Sequence, residues 1–144
     1  MSLYYADTSA VIKLLAEETH SRAFARFYDA DQKAEWVSSA LLRIELTRAV
    51  ARVMPALLPD ARELLLAFSC IEIDEEVVDG AVNEPDRSLR SLDAIHLATA
   101  RLLSPDLDAL PTTFVLDRSG RVAAFHEGLT SKQDFIDAVE ALLK

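Results

Sequence analysis

Apolar and polar positions along the chain switch repeatedly between a period near two and a period near 3.6. Residues 3–6 (Leu3, Tyr4, Tyr5, Ala6) form an apolar run that stops at Asp7. Over residues 8–18, Val11, Ile12, Leu14 and Leu15 then fall on one helical face. This predicts a strand followed by a helix, and the pair repeats. Ala23, Phe24, Phe27 and Tyr28 mark a second helix, and Trp36-Val37-Ser38-Ser39 has the aromatic and β-branched character of a strand. Leu42, Leu46, Ala49, Val50 and Val53 set a helix over residues 40–54; Pro55 and Pro59 punctuate before another through Leu64, Leu65 and Phe68. A third strand is expected at residues 70–73, a short helix at 74–83, and a helix over 92–103 with Ser91 as its cap.

Strands alternating with helices imply a mostly parallel central sheet flanked by helices, an α/β fold in one domain. A chain of 144 residues is long enough for one such core. After a loop with Pro105 and Pro111, a strand is expected at residues 113–116. Asp117-Arg118-Ser119-Gly120 has the form of a type I turn, so residues 121–125 read either as the return strand of a hairpin or as the start of a helix. Thr130-Ser131-Lys132-Gln133 is a capping-box pattern before a terminal helix carrying Phe135, Ile136, Val139, Leu142 and Leu143. Residues 111–144 thus read as an atypical tail, with a hairpin plus helix as one of its two arrangements.

Charge changes the picture of function. With 15 basic and 24 acidic residues the formal net charge is -9, which disfavours a binding module that works by neutralising phosphates. It suits a metal-dependent nuclease, in which clustered carboxylates hold a cation that meets the phosphate. No apolar run approaches the ~20 residues of a membrane span, and the N-terminus lacks a secretory signal pattern, so a soluble cytoplasmic protein is expected. Cys70, the single cysteine, reads as a buried structural thiol.

Four carboxylates stand at informative places: Asp7 after the first strand, Glu45 inside the third helix, Asp93 in the first turn of a later helix, and Asp117 after a late strand. Carboxyl ends of parallel strands and amino ends of the following helices share one sheet edge, so Asp7, Asp93 and Asp117 can converge there, with Glu45 reaching in from its helix. Each acid also has a local explanation. Asp7 can cap a helix and Asp93 can complement a helix dipole, at roughly 0.3 to 2 kcal/mol each. Glu45 can pair with Arg48 one turn on, and Asp117 can belong to its turn. His96, three residues after Asp93, reads as a helix residue with local hydrogen bonds.

Three segments carry a resemblance: Tyr5-Ala6-Asp7-Thr8-Ser9-Ala10, Arg43-Ile44-Glu45-Leu46, and Ser91-Leu92-Asp93-Ala94-Ile95-His96-Leu97-Ala98-Thr99-Ala100. Together they resemble the motifs of PIN-domain ribonucleases, and more narrowly the VapC-type toxins of bacterial toxin–antitoxin modules, over roughly residues 3 to 117. The resemblance implies a PIN-like three-layer sandwich and an acidic pocket for one or two Mg2+ ions, with Mn2+ as a substitute. It also implies an RNA substrate, a cognate antitoxin and a homodimer. Asp7, Glu45 and Asp93 match the family motifs. At Asp117 the segment Phe114-Val115-Leu116-Asp117-Arg118 is shorter by one residue than the family pattern and lacks its tyrosine. The tail beyond is more similar to the last hairpin and helix of thioredoxin-like proteins, though the chain has no Cys-x-x-Cys.

The chemistry expected is hydrolysis of RNA phosphodiesters by a metal-activated water, with Asp7 and Asp93 contacting the ion and Glu45 and Asp117 holding its waters. Oxygen donors favour Mg2+ over Zn2+, which would want His and Cys at ligand spacing. Thr8 or Ser9 can orient a ligand, and Arg43, Arg48, Arg87, Arg90 and Arg118 are the basic candidates for the RNA backbone. Two other readings stay open: a Mg2+-dependent phosphohydrolase on a small substrate, for which three glycines offer no evident phosphate cradle, and a non-catalytic interaction module.

Overall fold

A computed structural model describes residues 3–17, 21–30, 32–103, 115–116 and 122–124. Strand β1 (Leu3–Tyr5) leads into helix α1 (Thr8–Val11) and a 3-10 turn (Ile12–Leu14), followed by α2 (Ser21–Ala30) and β2 (Glu35–Ser39). Helix α3 (Leu41–Val53), a second 3-10 turn (Pro55–Leu57) and α4 (Leu58–Leu65) precede β3 (Phe68–Ile71), α5 (Glu75–Val82) and α6 (Ser91–Leu103). Two short strands, β4 (Val115–Leu116) and β5 (Val122–Ala124), pair antiparallel. Residues 122–124 therefore take the strand alternative, while 121 and 125 lie outside the described residues. The turn at 117–120 and the helix expected after residue 130 lie outside the described residues.

The central sheet has the order β1-β2-β3 and is parallel throughout. Each crossover is helical, as parallel neighbours require. Side chains alternate across the sheet with period two. Tyr4, Ala6, Trp36 and Phe68 face a core built with Ala10, Val11, Phe24, Leu42, Leu46, Val50 and Ala61, so α1 to α4 cover that side. Tyr5 and Val37 face the other side, where Ala100 and Leu97 of α6 meet them. Helix α5 lies against α6, and the approach is close: a Cβ at Gly80 would stand 3.1 Å from Ala98 Cβ. Helices, sheet and helices make the three layers expected from the alternating pattern.

The first core is aromatic at its centre. The ring of Trp36 stands 4.9 Å from Tyr4, 5.1 Å from Tyr28 and 5.7 Å from Phe24, centroid to centroid. This cluster explains the strand that the pattern misplaces. β3 begins at Phe68 rather than at residue 70, because Phe68 pairs with Trp36 and its ring is buried on the same face. Cys70, across from Ser38, is half-buried rather than enclosed.

The helix expected over residues 8–18 tightens after one turn. Val11 and Lys13 lie roughly 200° apart on an ideal helix, yet both are buried, so the segment is enclosed on more than one side and packing overrides the amphipathic period. Helix α6 starts one residue earlier than expected, with the Ala94 amide donating to the Arg90 carbonyl at 2.9 Å, a difference within ordinary boundary variation. Among the described residues no helix is long and apolar enough to cross a membrane.

Since Trp36 joins the sheet to α2, truncation at this point should be among the most damaging single changes. Trp36→Ala is expected to cost ~3 to 5 kcal/mol, read as a lowered urea midpoint with an unchanged slope; a loss below ~1 kcal/mol would show that the aromatic cluster is not the centre of the core.

Candidate active site

Strand β1 delivers its last residues to the edge of the sheet where α1 begins. Asp7 is the N-cap of α1, with extended backbone, and its Oδ1 accepts from the Ala10 amide at 3.0 Å and from the Ser9 hydroxyl at 3.0 Å. An Asp at this position satisfies an amide that the first helical turn leaves without a partner. Unlike most caps it is buried, at 6% exposure. The local explanation of Asp7 is therefore correct and incomplete.

Burial dominates its ionisation. Loss of hydration raises the Asp7 pKa to about 6; His96, the Ala10 amide and the Ser9 hydroxyl pull it down, while the nearby Asp93 carboxylate pushes it up further. Asp7 and Asp93 thus repel each other across the site. Asp93 sits in the first turn of α6 and is exposed, at the rim, whereas Asp7 is buried.

Glu45 projects from α3, one turn after its start, with its side chain 25% exposed. Its Oε1 accepts from the Thr8 hydroxyl at 2.7 Å and lies 2.9 Å from His96 Nε2. His96 is buried at 4% exposure and its Nδ1 is 2.7 Å from the Tyr5 hydroxyl. The local reading of His96 is overturned here: its partners come from β1 and α3, not from its own helix. A helical spacing of three residues places it on the side of α6 that carries Asp93, which was the available signal. What the sequence did not contain was the pairing of that side with Tyr5.

Asp7, Glu45 and Asp93 are brought to one region from three elements. Asp117 lies outside the described residues, although β4, which ends at the residue before it, lies near α1. Among the described residues, no three His, Cys, Asp or Glu side chains gather closely enough to cage a metal ion. The donor set nonetheless fits Mg2+, which is commonly held by one or two carboxylates and keeps several waters. A buried carboxylate beside a second one is the charge imbalance that a hard cation relieves. Of the basic candidates, Arg43 is 3.0 Å from Glu72 on the surface, Arg48 is exposed on α3, and Arg87 and Arg90 are exposed on the segment that leads into α6. Arg118 is outside the described residues.

The raised pKa has a stability consequence in metal-free protein. In the unfolded chain Asp7 ionises near its ordinary value of 3.8, so the folded state binds the extra proton between about pH 4 and pH 6. The contribution is favourable below that window and is lost as pH rises through 6. The rise from 3.8 to about 6 corresponds to ~3 kcal/mol at most. Asp7→Asn keeps a capping side chain and removes the buried charge. In EDTA it should unfold at higher urea than the parent at pH 7.5, with the gap shrinking toward pH 4; an equal gap at both pH values would contradict the assignment.

Comparison with known proteins places this geometry. Residues 4–107 match the PIN domain family. The chain is 36% identical over 128 residues to Ribonuclease VapC35 of Mycobacterium tuberculosis, spanning 89% of this chain and 93% of that protein. It is 38% identical over 112 residues to Ribonuclease VapC46 of the same organism, across 78% of this chain and 85% of the relative. Among solved structures, a toxin–antitoxin complex from Klebsiella pneumoniae shares the fold with a TM-score of 0.56 at 22% identity, over 69% of this chain and 79% of that one. Matched by its domain over most of its length, and by relatives that it spans almost end to end, the chain belongs to the PIN-domain family and within it to the VapC-type ribonucleases.

Proposed function

We propose that this chain is the ribonuclease toxin of a toxin–antitoxin pair and hydrolyses RNA phosphodiester bonds at the edge formed by β1, α3 and α6. The observation that carries the reading is the buried Asp7 carboxylate, held at the start of α1 with Asp93 beside it and its pKa raised to about 6. Asp7 and Asp93 would hold a divalent ion, Mg2+ with Mn2+ as substitute, and Glu45 and Asp117 complete the acidic set. Such an ion, when bound, supplies Lewis acidity toward a phosphate oxygen and makes water a stronger acid.

The protein's own groups do the rest. The Ala10 amide and Ser9 hydroxyl orient Asp7 through Oδ1, so the carboxylate enters the reaction already fixed. Two neighbours converge on Glu45 Oε1, which holds that carboxylate ready to accept a hydrogen bond or a proton from water. Arg87 and Arg90, exposed before α6, offer guanidinium groups to the RNA backbone close to Asp93. A chain with net charge -9 needs such local contacts, because its overall field does not attract RNA.

An antitoxin partner follows from the same reading and is supported by the complex in which the structural neighbour was solved. A homodimer is in keeping with exposed apolar side chains such as Leu66 and Val53, and a cytoplasmic address places the chain with its substrate.

Defined structured RNAs incubated with purified protein should be cut in Mg2+ and left intact in EDTA. Asp7→Asn and Asp93→Asn should each reduce the rate by on the order of 100-fold or more. Cleavage that persists in EDTA, or in both variants, would rule out the proposed site.

A further inference from the structure

Behind the two groups that meet Glu45 Oε1, the contacts continue through His96 to Tyr5, and that extension has no role so far. Burying an imidazole is costly unless its nitrogens find partners. Here both do, and both partners are side chains distant in sequence: Tyr5 on β1 at Nδ1 and Glu45 on α3 at Nε2. A histidine that merely filled space on α6 could satisfy itself on nearby backbone, as Thr99 does by donating to the Ile95 carbonyl at 2.7 Å. His96 instead ties three elements together at the site.

We propose that His96, braced by Tyr5, is a positioning residue that fixes the Glu45 carboxylate for the reaction; the inference rests on the metal-nuclease reading above. The hydrogen bonds are directional. A carboxylate only accepts, so Nε2 carries the proton toward Oε1, while the Tyr5 hydroxyl shares a hydrogen bond with Nδ1 on the other side of the ring. Thr8 donates to the same Oε1, and its hydroxyl lies 3.5 Å from Nε2, so the three groups form a closed triangle. Two donors hold one carboxylate oxygen, which restricts where the Glu45 side chain can point. Groups that orient acidic residues around a cation in this way are worth ~10- to 100-fold in affinity or rate. Helix α6 therefore carries Asp93 at the rim and, three residues on, the support for Glu45 beneath.

The test compares the parent with His96→Ala, His96→Gln and Tyr5→Phe, each as the whole chain. Mn2+ affinity is read by electron paramagnetic resonance, cleavage of a defined RNA by steady-state kinetics, and folding by thermal unfolding. His96→Ala should lose ~10- to 100-fold in kcat with KM for RNA little changed, and should bind Mn2+ ~10-fold more weakly. His96→Gln, which keeps an N–H directed at Glu45, should recover most of both. Tyr5→Phe removes one oxygen atom and should fall between them; it carries the test if His96→Ala does not fold. Parent-like kcat and Mn2+ affinity in folded His96→Ala or, where that variant does not fold, in Tyr5→Phe overturn the positioning role alone, as does a folded His96→Gln no better than folded His96→Ala. A parent that neither binds Mn2+ nor cuts RNA overturns the nuclease reading, and this inference falls with it.

Discussion

A carboxylate buried where β1 meets α1 sets the terms for the rest of this structure. Asp7 is held under the surface by an amide and a hydroxyl that both bond Oδ1, and burial raises its pKa to about 6. A charge in that position is tolerated only with compensation from nearby dipoles, a cation or a proton. The neighbouring elements are arranged around that demand. Helix α1 supplies the dipole and the amide, α6 brings a second carboxylate, and the combination is one that a hard cation balances.

The parallel sheet makes this arrangement possible. Because all three strands run the same way, their carboxyl ends and the starts of the following helices meet along one edge. The aromatic core around Trp36 fixes the register of β1, β2 and β3, and so fixes where Asp7 stands relative to α3. On the opposite face α6 is seated by Ala100 against Tyr5 and Val37, and backed by α5. Arg101 pairs with Glu84 on the segment after α5, which holds these two helices together at their far end. The same seating brings His96 against Tyr5, so the packing of a core layer and the support of the acidic site are one contact.

Some of this site could be read before any folding was considered. Asp7 and Asp93 stand at element ends, where α/β topology gathers functional groups, and their flanking residues match a family pattern. Glu45 was harder, since a carboxylate one turn before an arginine on a helix is ordinarily a surface group. His96 was misread, because a histidine in the middle of a helix has many local partners and only one distant arrangement makes it a brace for Glu45. The start of β3 was misplaced for a related reason: apolar character runs through residues 65–73, and only pairing with Trp36 selects Phe68 as the first residue.

The order of strands and helices, the single acidic edge and the family were therefore determined by the sequence itself, because periodicity, chain punctuation and short motifs are local properties. Tertiary structure decided what each acid experiences. Asp7 and Asp93 are both helix-start acids, yet one is enclosed and shifted while the other lies open at the rim. Burial, desolvation and the pairing of Tyr5 with His96 and of His96 with Glu45 depend on which faces meet across the layers, and those meetings arise only when distant segments pack.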